Sequence, residues 1–176
     1  QIVISTGEVT TLAGSGTAGF ADGTGNAASF YYPRGITSDG TNLYVADESN
    51  NRIRQIVIST GVVTTLAGSG IAGFTNFASG TEASFNHPRG ITTDNTSLYV
   101  ADTDNNMIRK IVISTGEITR LAGSGTAAFA DGTGNAASFN NPKGITSDGT
   151  NLYVSDWDNH RIRQIVISTG VVTTLA

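Results

Sequence analysis

The 176-residue chain contains no cysteine, only three prolines and no long run of apolar residues. The absence of cysteine excludes a disulfide scaffold, a zinc–thiolate site and thiol catalysis. A transmembrane helix is excluded because it needs about 20 consecutive apolar residues. Charged residues are also scarce, at 14% with a net charge of −4, whereas binding to phosphate groups needs clustered cations. We therefore expect neither a nucleic-acid partner nor a membrane partner.

Glycine, in contrast, is abundant, with 22 residues in the chain. Apolar and other residues alternate with a period of two in segments such as Asn42–Asp47, and no useful stripe of apolar residues follows the helical spacing. This combination predicts an all-β chain with many tight turns and almost no helix.

The sequence consists of tandem copies of one unit. Three copies occupy residues 1–54, 55–109 and 110–163, and a partial copy occupies residues 164–176. The first and third copies are identical at 43 of 54 positions. Copies this similar must fold alike, so we expect one supersecondary unit per copy, all within a single propeller portion over residues 1–176.

Each unit contains four strand candidates, labelled a to d in chain order. In the first whole set they lie at residues 34–40, 42–47, 53–59 and 62–67. A connection rich in glycine, serine and alanine, residues 68–85, then leads to the next set. Four antiparallel strands in a repeated unit are typical of a β-propeller blade, which needs neighbours because both of its faces are apolar.

The recurring segments are A-S-F-x-x-P-(R/K)-G-I, L-Y-V-(A/S)-D and T-G-x-(V/I)-T-x-L-A-G. Through these segments the chain resembles the NHL repeat, a family that forms β-propellers. The resemblance covers essentially the whole chain. Along the chain the strand candidates read c-d and then a-b-c-d three times, which predicts three blades plus an extra outer hairpin at residues 1–13. The resemblance suggests an extracytoplasmic bacterial location. Because propellers have about 4–8 blades, we favour an excerpt of a longer protein. The alternative is that copies of the chain associate to complete a ring.

The copies differ most in two connections that emerge on the same face of the disc, because the strands alternate in direction. These are the d-to-a connection and the b-to-c turn, and the latter also carries Glu48, Asp104 and Asp158, which would form a polar rim. Amphipathic aromatic and histidine side chains suit a ligand or protein partner, so we predict a binding face there. Drift at exposed loop positions is the alternative. The predicted binding residues are Tyr31, Tyr32, His87, Asn140, Asn141, Trp157 and His160.

A cation follows each proline at the start of the innermost strand, as Arg34, Arg89 and Lys143. Together these side chains could form a positive mouth suited to a small acidic ligand or an acidic peptide. Alternatively, each cation pairs with a carboxylate of a neighbouring blade or loop.

An aspartate and an arginine recur seven residues apart in every copy. A catalytic centre needs one constellation rather than three, so we predict a structural turn network, in which the carboxylate accepts hydrogen bonds from turn amides and the guanidinium holds strand c. The pairs are Asp47 with Arg54, Asp102 with Arg109, and Asp156 with Arg163. The loop F-A-D-G-T-G-N has a calcium-like pattern but too few anionic oxygens for calcium, so turn chemistry explains it better.

Residues suited to catalysis are few, because the only histidines, His87 and His160, lie in different copies. No nucleophile elbow or phosphate-binding loop occurs. We therefore expect a non-enzymatic scaffold that binds a protein, a peptide or a small acidic ligand, without a cofactor or metal. Two alternatives stay open: a self-assembling structural repeat without a ligand, and a metal-dependent lyase or hydrolase.

Overall fold

A computed structural model describes residues 1–76 and 80–176, which form three antiparallel sheets, named blades 1 to 3. The strands of blade 1 are β1 (Gly23–Thr24), β2 (Pro33–Ser38), β3 (Asn42–Asp47), β4 (Arg52–Val57) and β5 (Val62–Ala67). Those of blade 2 are β6 (Pro88–Thr93), β7 (Ser97–Asp102), β8 (Met107–Val112) and β9 (Ile118–Ala122). Those of blade 3 are β10 (Gly132–Thr133), β11 (Pro142–Ser147), β12 (Asn151–Asp156), β13 (Arg161–Val166) and β14 (Val171–Thr174). The predicted all-β propeller fold is confirmed.

Helical structure in the described ranges is limited to short 3-10 turns of three residues each. They lie at Gly25–Ala27, Glu48–Asn50, Gly80–Glu82, Thr103–Asn105, Gly134–Ala136 and Trp157–Asn159. Within residues 1–76 and 80–176, no helix has the length and apolar character needed to cross a membrane.

The observed strand bounds lie within two residues of the predicted ones. Strands β3 and β5 begin and end where the alternating pattern places strands b and d. Strand β4 ends at Val57, two residues earlier than predicted for strand c, because the Gly61 amide donates to the Val57 carbonyl oxygen at 2.8 Å and closes the turn. Strand β2 ends at Ser38 because Asp39 already belongs to the next turn.

Blades 1 and 3 carry a fifth, outermost strand that the sequence pattern did not predict. Strand β1 pairs with β5, and β10 pairs with β14, each over two residues. Both short strands come from the connection that was expected to be only a loop, and two residues are too few to show a periodicity. The connection that enters a blade therefore also covers the outer edge of that blade. The corresponding residues 77–79 of the second copy lie outside the described residues.

Neighbouring blades pack face to face through equivalent side chains. Blade 1 contributes Tyr44, Ala46, Ile53 and Ala67, which pack on Phe85, Ile91, Leu98 and Val100 of blade 2. The equivalent residues of blade 2, Tyr99, Ala101, Ile108 and Ala122, pack on Phe139, Leu152, Val154 and Ile165 of blade 3. The innermost strands approach so closely that a Cβ atom at Gly35 would overlap the carbonyl oxygen of Arg89, so this position needs glycine.

The extra hairpin at residues 1–13 has none of these neighbours. Its strands meet only in an isolated bridge between Ile2 and Val9, and residues 1–11 are all exposed. Leu12 and Ala13 are half-buried against blade 1. The hairpin therefore occupies the place of an outer strand pair without the inner strands that would complete a blade.

Candidate interaction face

The two connections with the most varied residues meet at one end of every blade. In blade 1 the Ser49 amide, in the b-to-c turn, donates to the carbonyl oxygen of Tyr31 at 3.0 Å. The equivalent bonds join Asp104 to Asn86 and Asp158 to Asn140, each at 3.1 Å. We call this end the interaction face, defined by Tyr31, Tyr32, Arg34, His87, Arg89, Asn140, Asn141, Lys143, Trp157 and His160.

The residue before each proline has a left-handed backbone. The φ angles are 52° at Tyr32, 49° at His87 and 53° at Asn141. Asparagine tolerates this conformation because its short polar side chain can bond locally, whereas a bulky side chain is strained there. A second left-handed position ends the b-to-c turn, at Asn51, Asn106 and His160. No feature of the single sequence reveals these conformations directly, although asparagine is a weak signal, at one copy of the first position and two copies of the second.

The two left-handed positions are joined across each described junction between blades. The Asn51 Oδ1 atom of blade 1 accepts a hydrogen bond from the His87 amide of blade 2 at 3.0 Å. In the same way, the Asn106 Oδ1 atom accepts a bond from the Asn141 amide of blade 3 at 3.0 Å. Each asparagine thus fixes the interaction face of the following blade.

Two of the three cations share one buried carboxylate. Glu48 Oε2 lies 2.5 Å from Arg34 Nε, and Glu48 Oε1 lies 2.8 Å from Arg89 Nε in the next blade. Burial opposes ionisation of Glu48, but hydrogen bonds from the two guanidinium groups outweigh it and hold the pKa of Glu48 below its ordinary value. Glu48 therefore offsets part of the positive charge that the sequence predicted at this end. The third cation, Lys143, places its Nζ atom 3.8 Å from the centroid of the Trp157 ring.

A cavity of about 230 Å³ lies where blades 1 and 2 meet at this end. The Nδ1 atom of His87 and the Oδ2 atom of Asp104 are 2.7 Å apart on its wall. Beside it, the rings of Tyr31 and Tyr32 stack with their centroids 5.1 Å apart. The cavity is lined by Tyr32, Arg34, Glu48, Ser49, His87, Arg89 and Asp104.

The predicted residues of blade 3 do not reach this cavity. Trp157 and His160 line a separate cavity of about 320 Å³, together with Ile162 and Ala176 on the uncovered side of blade 3. Asn141 donates its side-chain N–H to Asp158 within the blade. The structure thus divides the predicted set into one group at the junction of blades 1 and 2 and another on blade 3.

The recurring aspartate–arginine pairs lie in the interior behind the interaction face. In blade 1 the Asp47 Oδ1 atom accepts from the Tyr31 amide at 2.8 Å, while Oδ2 accepts from Arg54 Nη1 at 2.8 Å. The equivalent carboxylate–guanidinium distances are 3.0 Å for Asp102 with Arg109 and 2.7 Å for Asp156 with Arg163. In the middle blade, burial raises the pKa of Asp102 to about 6, against the opposing effect of the Arg109 charge.

The same guanidinium also holds the calcium-like loop. Arg54 Nη2 donates to the Ala21 carbonyl oxygen at 2.8 Å and to Asp22 Oδ1 at 2.6 Å. Its Cζ atom lies 4.9 Å from the Phe20 ring centroid and 5.1 Å from the Phe30 ring centroid. The loop carboxylate is therefore engaged by an arginine. The sequence analysis did not predict these contacts, although a phenylalanine recurs at both positions in every copy and could have indicated them.

Among residues 1–76 and 80–176, no three histidine, aspartate or glutamate side chains are grouped in a way that could hold a metal ion. The buried carboxylates Asp47, Asp102 and Asp156 each contact an arginine, and Glu48 contacts two. The described arrangement presents hydrogen-bonding groups and exposed aromatic side chains at this end of the blades.

Sequence comparison places the repeats in a known family. The NHL repeat profile matches residues 30–56 and 139–165. The chain is 32% identical over 163 residues to human NHL repeat-containing protein 2, covering 84% of this chain and 22% of that protein. It is 34% identical over 160 residues to the chloroplastic protein SUPPRESSOR OF QUENCHING 1 of Arabidopsis thaliana, covering 84% of this chain and 15% of that protein. The chain thus spans about a fifth or less of the length of these relatives.

Solved structures share the architecture. An auxiliary nutrient binding protein from Bacteroides thetaiotaomicron matches with a TM-score of 0.73 at 21% identity, covering 98% of this chain and 42% of that one. Virginiamycin B lyase from Staphylococcus aureus matches with a TM-score of 0.52 at 24% identity, covering 82% and 41%. At these identities the likeness concerns the fold alone. The motifs, the three sheets and the profile matches together show that the chain is an all-β propeller fold carrying NHL repeats.

Proposed function

We propose that this chain is a non-enzymatic binding scaffold that holds a protein or peptide partner on its interaction face, chiefly at the junction of blades 1 and 2. An NHL-repeat propeller is consistent with a scaffold of this kind. The residues of this chain that would contact the partner are Tyr31, Tyr32, His87 and the exposed part of Arg34. Asp104 would orient His87.

The left-handed backbone at Tyr32 carries this proposal. A non-glycine residue held in a sparsely populated backbone region costs about 1–3 kcal/mol, and asparagine is among the residues least affected. Blade 3 has Asn141 at this position, so the framework accepts asparagine there. Folding alone would favour asparagine in all three blades. A tyrosine at this strained position therefore suggests a contribution to binding.

The surroundings favour a protein or peptide over a strongly charged ligand. Tyr31 and Tyr32 are 41% and 62% exposed, and they present a stacked pair of rings with polar ends. Arg34 and Arg89 share the single carboxylate of Glu48, and a second carboxylate, that of Asp104, lies beside them against His87. Amphipathic aromatics around a nearly neutral polar centre are typical of the anchor residues of protein interfaces.

The test uses peptides selected from a random phage-displayed library against the intact chain. Tyr32→Asn should raise the free energy of unfolding by about 1 kcal/mol, because it relieves backbone strain, and should weaken binding of the selected peptides at least about tenfold. Chemical denaturation and fluorescence anisotropy measure the two effects. The matched control is Tyr153→Phe, in strand β12, whose hydroxyl donates to Asp148 in the a-to-b turn at the opposite end of the blade. Selected peptides that bind Tyr32→Asn and wild type equally would contradict the proposal.

A further inference from the structure

Two guanidinium groups from neighbouring blades meet at one buried carboxylate on the interaction face. Arg34 of blade 1 and Arg89 of blade 2 each donate an Nε–H group to Glu48, whose side chain is only 6% exposed. Blade 2 packs on a described blade on each side, so Arg89 lies within the chain rather than at an end of it. The arrangement at this junction is therefore set by residues of the described blades.

Most of the donors on these two guanidinium groups have no acceptor among the described residues. A guanidinium group carries five N–H donors, and the Nε–H group is one of them. Within residues 1–76 and 80–176, no hydrogen bond from an Nη atom of Arg34 or Arg89 is found. Both side chains line the cavity of about 230 Å³, and the Arg89 side chain is 28% exposed. Unused N–H groups on a cavity wall are suited to a ligand that supplies acceptor oxygens.

The charge around the cavity favours a single carboxylate over a more highly charged anion. Arg34 and Arg89 are positive, whereas Glu48 and Asp104 are negative, and the Asp104 Oδ2 atom lies 2.7 Å from Nδ1 of His87. These groups therefore have a formal charge of zero when His87 is neutral and +1 when it is protonated. One carboxylate is balanced in the protonated state, whereas a phosphate dianion would leave excess negative charge in both states.

The second junction inside the chain lacks this arrangement. Thr103 takes the position of Glu48 there, and its hydroxyl donates to a backbone carbonyl oxygen of blade 3 at 2.8 Å. Lys143 takes the position of Arg89 and lies over the Trp157 ring instead. A blade junction therefore forms without a glutamate between two arginines, which suggests that the set at the junction of blades 1 and 2 contributes to binding.

We propose that the Nη groups of Arg89, together with those of Arg34, bind an aspartate or glutamate side chain of the peptide partner. This inference rests on the proposed function, because the carboxylate belongs to the peptide held on the interaction face. Glu48 fixes both guanidinium groups through Nε and leaves their Nη groups to donate to the two oxygens of the carboxylate. Such charge-assisted hydrogen bonds are about twice as strong as those between neutral groups. Arg89 is thereby a specificity-determining residue of the site.

The peptides selected against the intact chain also test this inference. They are synthesised with an acetylated N terminus and an amidated C terminus, so only side chains supply carboxylates. Each aspartate or glutamate is replaced in turn by asparagine or glutamine, and fluorescence anisotropy measures binding to the wild-type chain. One such replacement should weaken binding at least about tenfold, because charge-assisted hydrogen bonds are lost. This arm needs no protein variant, so it does not depend on how a variant folds.

Arg89→Gln is the matching change in the chain. The amide nitrogen of glutamine takes the place of Nε in the arginine side chain, so it can still donate to Glu48 while the Nη groups are lost. This variant should weaken binding of the unmodified peptides at least about tenfold. In this variant the amide replacement in the peptide should cost at most about threefold, because the carboxylate has already lost its main partner.

Lys110→Gln is the matched control, because it removes the same charge from blade 2 at a position in β8 that does not line the cavity. Blades 1 and 3 have glutamine at this position, as Gln55 and Gln164. This variant should bind the peptides like the wild type. Circular dichroism should report unchanged β-structure for both variants.

The outcomes separate this inference from the proposed function. Peptides that lose affinity for Tyr32→Asn, yet tolerate replacement of every acidic side chain, would overturn the inference and leave the proposed function standing. Equal losses for Arg89→Gln and Lys110→Gln would also overturn it, because the effect would then come from net charge. Peptides that bind Tyr32→Asn and wild type equally would contradict the proposed function, and this inference with it.

Discussion

Residues 1–13 and residues 164–176 differ only at Glu8 and Val171, yet they are structured differently. The second segment provides the second half of strand β13 and all of β14, and its Ile165 and Val172 are buried, with 0% and 1% of their surface exposed. The equivalent Ile2 and Val9 are 64% and 71% exposed and meet in a single bridge. Nearly the same sequence is thus a pair of core strands in one place and a loosely held hairpin in the other.

The local turn is the part that both segments share. The Gly7 amide donates to the Val3 carbonyl oxygen at 2.7 Å, and the Gly170 amide donates to that of Val166 at 2.8 Å. Both glycines have positive φ, 71° and 68°. The threonine–glycine turn therefore forms from local sequence, whereas strands on both sides of it need inner strands to pair with and a buried arginine to hold them.

The largest expected effect comes from removing Arg163, the buried arginine that immediately precedes the ordered segment. Arg163→Ala would leave the Asp156 carboxylate buried and without its cation, at a cost of about 3–5 kcal/mol in the free energy of unfolding. Denaturant unfolding measures the change. Arg161→Ala is the control on the same strand, because Arg161 is only half-buried over the Phe129 ring and should cost less than about 1 kcal/mol. Equal losses for both variants would show that Asp156 needs no paired cation.

A second comparison concerns the innermost strands: β2 lies against the innermost strand of the next blade, whereas β11 has no following blade beside it. Gly35→Ala should lower the free energy of unfolding by about 1–3 kcal/mol, because the new methyl group overlaps the Arg89 backbone. Gly144→Ala, at the same position of blade 3, meets only the Ser155 side chain and should cost less than about 1 kcal/mol. Thermal and denaturant melts compare the two variants. If the Gly144→Ala chain is less stable than the Gly35→Ala chain, the close approach of Gly35 to the Arg89 backbone is refuted.

Acid sensitivity should come from the a-to-b turns, which the blades have and the hairpin lacks. Burial opposes ionisation of Asp39, but hydrogen bonds from Asn42, Thr41 and Tyr44 outweigh it and lower the pKa of Asp39 to about 2. The pKa values of Asp94 and Asp148 are lowered as well. Because the folded-state pKa lies below the unfolded value of 3.8, this stabilisation is present above that pH and is lost as the pH falls towards about 2.

Unfolding free energies measured between pH 5 and pH 2 should therefore decline in the wild type. A triple variant with asparagine replacing Asp39, Asp94 and Asp148 should show a shallower decline, because these three groups no longer titrate. An unchanged slope in the variant would mean that other carboxylates dominate acid unfolding.

The smallest expected effect comes from removing the one sequence difference between the two segments. Glu8→Val makes residues 1–13 identical in sequence to residues 164–176. We expect the stability to change by less than about 0.5 kcal/mol, because Glu8 is exposed and the hairpin still lacks inner strands. Circular dichroism and denaturant unfolding report the change. A clear gain in β-structure would mean that the glutamate, rather than the missing neighbours, keeps the hairpin loose.

Much of the fold followed from the sequence because repetition and period-two alternation are local patterns. The bounds of β3 and β5, the number of blades and the exposed hairpin could all be predicted in this way. The outer strand β1 could not, since Gly23 and Thr24 pair only because the connection wraps around the blade. The pairing of Glu48 with two arginines also needs the three-dimensional junction, because Arg89 lies 41 residues further along the chain.

The candidate face was predicted only in outline. Variation between copies located Tyr31, Tyr32 and His87 on one end of the blades, but it also grouped Trp157 with them, and the structure places that residue on blade 3, away from the cavity. The backbone strain at Tyr32 depends on φ, which residue type indicates only weakly. Sequence thus indicated which residues differ, and geometry indicated which of them can act together.

Native-state hydrogen exchange of the intact chain, compared amide by amide between the two near-identical segments, is the most direct test of whether neighbouring strands create the blade. The amides of Val166 and Thr173, within β13 and β14, should exchange only by global unfolding, while those of the equivalent Val3 and Thr10 should exchange by local opening with little protection. Similar protection in the two segments would contradict this dependence and would mean that the hairpin sequence is stable by itself.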